Sequence, residues 1–369
     1  MMDAGKFHDI AERSHTLPAD WYTDPTVFER EKEAIFYRGW WYAGALEDVA
    51  EPGGYLTTTV VDQDIAVVRG RDGVLRAFHN VCSHRAHRLL EGKGRRITIV
   101  CPYHNWSYET DGAFKAARGI DGICDFDRAN VALKQVRVET LAGLVFVNLD
   151  KDARPLDAVT GEMLADMRAH CPGLDRLTLA HHFEVPTAAN WKTLVDNDLE
   201  SYHVAASHPD LVDLLNYETF EVWEYELTTC HAMTNTNPDN RAYQVGRNDP
   251  VQRAIYTWLW PNTAFFIAPG RNNLAIFHMI PTGPETSVQS WDFYFEDQTP
   301  TKAEQEALDY TTDILIPEDT ALYENVQRGL RSRGYEQGRL VINRDKPELS
   351  EHHVHMFQTL VRDALLGAG

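Results

Sequence analysis

The sequence predicts an α+β protein made of an all-β module and a larger domain in which an antiparallel sheet is flanked by helices. Three observations predict it. Between Tyr55 and Leu149, short β-branched or aromatic runs alternate with turn pairs such as Gly53-Gly54, Asp72-Gly73 and Asp111-Gly112. From Trp223 to Phe295 a second set of strand-like runs is rich in aromatic residues. Helical patterns lie outside both sets, at residues 24–36, 156–170, 302–314, 318–331 and 351–366.

Taken in order, Asp24-Pro25 is a helix-start signal, and Val27, Phe28, Ile35 and Phe36 supply the apolar pattern behind it. The period then changes. Residues 55–60, 65–69, 75–79, 97–100, 106–109, 136–140 and 144–149 read as strands of one module covering 38–150, with 1–37 an N-terminal helical segment belonging to the domain at 151–369. In that domain 180–185 reads as a strand. The pairs Trp258 and Trp260, and Trp291, Phe293 and Phe295, each face one side of their strands.

The chain has 369 residues, 43% hydrophobic and 11% aromatic, enough for two packed domains and unlike any disordered class. A net charge of −20 argues against a nucleic-acid or anionic-membrane partner and favours a cationic substrate or a basic partner. Residues 1–13 mix charged side chains without an apolar segment, and no window reaches eighteen apolar residues. A soluble cytoplasmic protein is expected, in which five cysteines are reduced thiols or metal ligands.

Within the β module, Cys82-Ser83-His84 and Cys101-Pro102-Tyr103-His104 put two Cys/His pairs on two loops. Two thiolates on one iron and two imidazoles on the other describe a Rieske [2Fe-2S] centre, where neutral imidazoles raise the reduction potential. A Cys2His2 zinc site uses the same donors. A zinc finger, however, is a small ββα unit, and these pairs sit in hairpin loops of a larger domain. Cys124, Cys171 and Cys230 have no comparable partners and read as buried thiols.

A second constellation runs from Asn190 to His208. Residues 191–206 lack Gly and Pro and predict one helix that ends near His208, because Pro209 disfavours the α conformation before it. On that helix Asp196, Glu200 and His203 share a face. His203 and His208 would stand roughly 140° apart on a regular helix, so they meet at one ion only where the last turn widens or breaks. Two imidazoles and one distant carboxylate make the 2-His-1-carboxylate triad, which leaves positions open on iron(II). Taken alone, the pair is also compatible with ordinary surface or core histidines.

Together these motifs resemble the α subunits of Rieske non-haem iron oxygenases over nearly the whole chain. The resemblance implies cluster ligation by Cys82, His84, Cys101 and His104, and iron ligation by His203 and His208 after the Asn190-Trp191-Lys192 signature. It implies an aspartate as third ligand ahead of a Gln-Arg-Gly-Leu-like segment. Here Ile316-Pro317-Glu318-Asp319 precedes Gln327-Arg328-Gly329-Leu330, so Asp319 is the expected ligand and Glu318 the second candidate. Ser83 stands where the family usually has Pro, and Ala86 and Asn105 where it usually has Gly. Glu200 takes the place of an aspartate that, in ring-hydroxylating dioxygenases, links a cluster histidine of one subunit to the iron histidine of the next. That glutamate resembles the branch oxidising quaternary amines, among them carnitine and choline monooxygenases and betaine demethylases.

The resemblance further implies NADH-derived electrons from a separate flavin/iron-sulfur reductase, O2 as oxidant, and a homotrimer. Hydroxylation of an N-methyl carbon leads to formaldehyde and a demethylated amine; attack on the chain carbon next to nitrogen releases trimethylamine or an aldehyde. The nearest competing reading is an aromatic-ring-hydroxylating dioxygenase, and Glu200 and the acidic chain lean against it. A Rieske electron carrier would end near residue 150. A zinc-binding structural protein would carry no iron.

Overall fold

The computed structural model describes residues 2–235 and 240–367. It contains two compact units, one from Phe36 to Leu156 and one formed by the chain up to Ile35 and from Asp157 onward. The α+β expectation is met.

The first unit contains β1 (Trp41–Ala45), β2 (Gly54–Val60), β3 (Gln63–Arg69), β4 (Leu75–His79), β5 (Lys93–Arg95), β6 (Ile99–Val100), β7 (Ser107–Tyr108), β8 (Phe114–Ala116), β9 (Gln135–Leu141) and β10 (Leu144–Asn148). A seven-stranded sheet has the order β1-β10-β9-β4-β3-β2-β5, and β6-β7-β8 form a three-stranded one. The small sheet buries Ile99, Trp106, Tyr108 and Phe114 in one cluster with Tyr55 and Phe78. The Asp111-Gly112 turn needs its glycine twice over. Its φ is +88°, and a Cβ would stand 2.4 Å from the Phe78 ring.

The second unit is a seven-stranded antiparallel sheet with helices. Its strands are β11 (Thr178–Thr187), β12 (Leu215–Glu224), β13 (Thr228–Asn235), β14 (Arg253–Leu259), β15 (Thr263–Ile267), β16 (Asn273–Gly283) and β17 (Thr286–Phe295), in the order β11-β17-β16-β15-β14-β13-β12. The register sets His231 opposite Tyr256, Tyr256 opposite Phe266, Ala275 opposite Phe293 and Phe277 opposite Trp291, so these rings share one face. The helices are α1 (Pro25–Glu31), α2 (Leu156–Thr160), α3 (Met163–His170), α4 (Trp191–Asp198), α5 (Val204–Ser207), α6 (Pro209–Leu214), α7 (Lys302–Tyr310), α8 (Ile316–Leu330) and α9 (His352–Leu366).

Two helix expectations change away from the histidine-bearing segment. The helix expected over 156–170 is split into α2 and α3 at Gly161, whose φ of +56° is left-handed. The two helices expected over 302–331 are joined through a wide π turn at Thr311–Leu315, because Pro317 falls in the first turn of α8, where its missing N–H costs nothing. At the chain's start Asp24 caps α1 by accepting the Thr26 N–H at 2.8 Å.

The Asn-Trp-Lys signature acquires a structural reason. Asn190 caps α4 by accepting the Lys192 N–H at 2.9 Å. Trp191 donates its indole N–H to Glu31 at 2.9 Å, and the Lys192 ammonium pairs with the other oxygen of the same carboxylate. Lys192 and Glu31 side chains are both fully buried. Removing one partner of such a pair costs about 3–5 kcal/mol, because the other charge stays behind in a dry site. Lys192→Met is therefore expected to destabilise by about that amount in chemical denaturation, and adding Glu31→Gln to restore part of the loss.

Candidate functional site: two cysteine-histidine loops and a histidine-carboxylate triad

Two loops of the β unit share one backbone geometry. After β4, the Cys82 N–H donates to the His87 carbonyl at 2.8 Å and the Ala86 N–H to the Cys82 carbonyl at 3.0 Å. Between β6 and β7, the Cys101 N–H donates to the Trp106 carbonyl at 2.7 Å and the Asn105 N–H to the Cys101 carbonyl at 3.0 Å. The fourth residue after each cysteine is left-handed, with φ of +55° at Ala86 and +60° at Asn105. These are the two positions at which the resemblance leads one to expect glycine, and the left-handed backbone gives that expectation a physical reason.

The loops bring the four predicted side chains together. Cys82 and Cys101 are buried. The His84 and His104 rings lie 4.7 Å apart edge to face, and His84 stacks on Trp106 at 4.7 Å. The Tyr108 hydroxyl lies 3.3 Å from the Cys82 sulfur and accepts the Ser83 N–H at 3.0 Å. The His104 Nδ1 is buried and has no hydrogen-bond partner among the described residues. Two buried sulfurs, two adjacent imidazoles and an orphaned ring nitrogen fit a [2Fe-2S] cluster with mixed ligation. Of the three remaining cysteines, Cys171 and Cys230 are buried, whereas Cys124 is exposed, contrary to expectation: it lies in an irregular loop beyond the packed strands.

The second unit holds the other constellation, and the single helix expected over 191–206 is broken. α4 stops at Asp198 because Glu200 turns its carboxylate onto the chain ahead, accepting the His203 N–H at 3.0 Å and facing the His203 Nδ1 at 2.5 Å. A second break falls at His208, whose φ and ψ of −126° and 68° are imposed by Pro209. The break also separates Asp196 from Glu200 and His203, which were expected on one face. Asp196 instead accepts from Tyr22 at 2.6 Å and Gln358 at 2.9 Å, and burial pushes its carboxyl up to about 7.

His203, His208 and Asp319 converge. Their ligand atoms all lie within 4.8 Å of one another, with the His208 Nε2 3.0 Å and the His203 Nε2 3.7 Å from Asp319 Oδ1. Two imidazoles and a carboxylate facing inward, with one side open, are the donor set for a ferrous ion with free positions. Each imidazole is held from behind: Glu200 sits on the His203 Nδ1, and Glu318 on the His208 Nδ1 at 2.7 Å. Glu318, the second candidate for the ligand position, thus occupies the far edge of the ring. Sequence reasoning missed this holding role; the signal was its place beside Asp319 in the first turn of α8.

Beside the triad lies a cavity of about 200 Å³ whose wall includes Phe266, Phe277, Trp291, Phe293 and Phe295. Phe277 and Trp291 stack at 4.2 Å. The expected alignment of 291, 293 and 295 is what builds this wall. Trp258 and Trp260 pack on Phe357 instead, at 5.6 and 6.2 Å. Asp198, Glu200, Asp249, Glu304 and Asp319 line the cavity against the single guanidinium of Arg271 among the described residues. No described helix is long and apolar enough to cross a membrane.

Residues 39–127 match the Rieske [2Fe-2S] domain, and residues 174–367 match the ring hydroxylating alpha subunit catalytic domain. Among curated relatives, the carnitine monooxygenase oxygenase subunit of Acinetobacter pittii is 36% identical over 94% of this chain and 94% of its own. The chloroplastic choline monooxygenase of Spinacia oleracea is 32% identical over 95% of this chain and 79% of its own. A quaternary ammonium Rieske monooxygenase whose structure addresses carnitine oxidation and inter-subunit electron transfer superimposes with a TM-score of 0.91 at 34% identity, covering 97% and 98% of the two chains. Naphthalene 1,2-dioxygenase from Rhodococcus shares the fold, with a TM-score of 0.80 at 18% identity.

Loss of a carboxylate behind a metal-binding imidazole typically weakens metal affinity about 10–100-fold. Glu318→Ala is expected to weaken iron(II) binding by that factor, measured as ferrous retention under chelator competition, with the visible absorption of the cluster unchanged.

Proposed function

The chain belongs to the Rieske oxygenase α-subunit family, and on that premise we propose that it oxidises a quaternary ammonium substrate at a carbon attached to nitrogen. The observation supporting this most directly is the aromatic-walled, carboxylate-rich cavity that opens on His203, His208 and Asp319. A mononuclear iron and a [2Fe-2S] cluster are the family's cofactors; when bound, they supply dioxygen activation and single electrons. In this reading Cys82, His84, Cys101 and His104 hold the cluster, and His203, His208 and Asp319 the mononuclear iron.

The remaining work belongs to the chain's own side chains. Glu200 and Glu318 accept the Nδ1 protons of His203 and His208, which leaves each Nε2 lone pair facing Asp319. Phe277, Trp291 and Phe293 stack on one another and form an apolar wall that keeps water from a quaternary ammonium, and a ring face left open at the end of such a stack attracts the cation by about 0.5–2 kcal/mol. Glu200 retains lone pairs beyond those used on His203, so the same carboxylate serves as the bridge toward a cluster histidine of a neighbouring subunit in a homotrimer. Electrons come from NADH through a separate flavin/iron-sulfur reductase, in the cytoplasm.

The test is O2 uptake by iron-reconstituted protein with a compatible reductase and NADH, across carnitine, choline, glycine betaine, proline betaine and simple arenes. Formaldehyde formed in step with O2 identifies N-demethylation, and trimethylamine identifies C–N cleavage. Coupled uptake with an arene alone, giving a cis-diol, overturns the amine reading. Asp319→Ala is expected to lose the mononuclear iron and turnover together, while the cluster absorption persists; retention of that iron moves the ligand role to Glu318.

A further inference from the structure

One group of side chains in the cavity has no part in the proposal above. Tyr217, Tyr243, Tyr256 and Tyr310 all line it, from β12, the segment between β13 and β14, β14 itself and the end of α7. The Tyr243 and Tyr310 rings lie 6.4 Å apart, and both hydroxyls are buried without a hydrogen-bond partner among the described residues. Tyrosines only 8% and 5% exposed ordinarily pair that hydroxyl, so two orphans in one wall call for a partner. Asp210, Glu318 and Asp319 are charged neighbours of Tyr310, which sets the cluster at the triad end of the cavity. Burial, with smaller contributions from neighbouring tyrosines and carboxylates, holds all four phenols above their ordinary range, so they are proton donors.

The cavity's guanidinium among the described residues is already engaged. Arg271 donates to Glu296 at 2.9 Å and stands 3.1 Å from Glu304. Its charge is met by these two carboxylates, which leaves the Tyr243 and Tyr310 hydroxyls as unpaired donors of the cavity among the described residues.

We propose that Tyr217, Tyr243, Tyr256 and Tyr310 form the subsite for the carboxylate of a zwitterionic quaternary amine, and that the substrate is such a zwitterion and not an amino alcohol. A carboxylate offers acceptor sites only and takes several O–H donors at once, whereas an alcohol brings its own proton into a ring of donors. The inference rests on the amine reading above and names the tail of the molecule whose head that reading describes.

The test measures anaerobic binding to the iron-loaded protein by tryptophan fluorescence, with three ligands sharing a trimethylammonium head: carnitine, its methyl ester and choline. Wild type is expected to bind carnitine at least roughly tenfold tighter than the ester. Tyr256→Phe and Tyr310→Phe are each expected to raise the carnitine Kd roughly tenfold and the ester Kd less than about twofold. Tyr310→Phe removes an unpaired hydroxyl, so its unliganded Tm should equal or exceed that of wild type. Equal weakening of all three ligands, no weakening, or a wild type preferring the ester or choline overturns the proposal. A wild type that binds none of the three and turns none over removes the amine reading itself, and with it this subsite.

Discussion

The catalytic unit depends on one buried carboxylate. Glu31 ends the first helix of the chain and receives both the Trp191 indole and the Lys192 ammonium at the start of α4. A fully desolvated carboxylate is tolerable only with donors on both oxygens, so the N-terminal helix and the ligand-bearing segment hold each other in register. Gln327 of α8 adds a third tie by accepting the Asn190 backbone N–H at 2.8 Å. Since α8 also carries Glu318 and Asp319, the same few contacts set the spacing between the two histidines and the carboxylate they face. Residues distant in sequence thus fix the geometry of the triad before any ion is considered.

A shared logic connects the two constellations. Each histidine of the triad is braced from behind by a glutamate, and each cysteine-histidine loop is braced by a backbone N–H returning to the cysteine carbonyl four residues earlier. Both devices remove rotational freedom from donors that must keep one orientation, which is how outer contacts tune a metal site. The loops are the more demanding, since their fourth residue must be left-handed. Asn105 meets this with a side chain that tolerates that region, whereas Ala86 accepts a steric cost of about 1 kcal/mol.

The fold class and the identities of the convergent residues were legible in the sequence because they rest on period and spacing. Alternating β runs, Gly turns and the Cys-x-His, Cys-x2-His and His-x4-His spacings are local signals. Local helix reasoning failed between 199 and 203. Nothing in the propensities of Leu199 to Tyr202 stops a helix, and the break comes from Glu200 folding back on His203. The split at Gly161 and the joining of α7 to α8 were missed for a related reason, since each turns on one residue's tolerance of a backbone state. The tyrosine cluster could not be read at all, because its members meet only when β12, β14, α7 and a loop are assembled.

The interrupted course of the chain around His203 and His208 bears on design. Copying these residues onto a regular helical scaffold would preserve every side chain and send the two imidazoles to diverging faces. The transferable unit is a short helix, a turn closed by a glutamate, one further helical turn and a proline that forces the second histidine out of line. A graft that omits the glutamate or the proline carries over the letters of the motif without its shape.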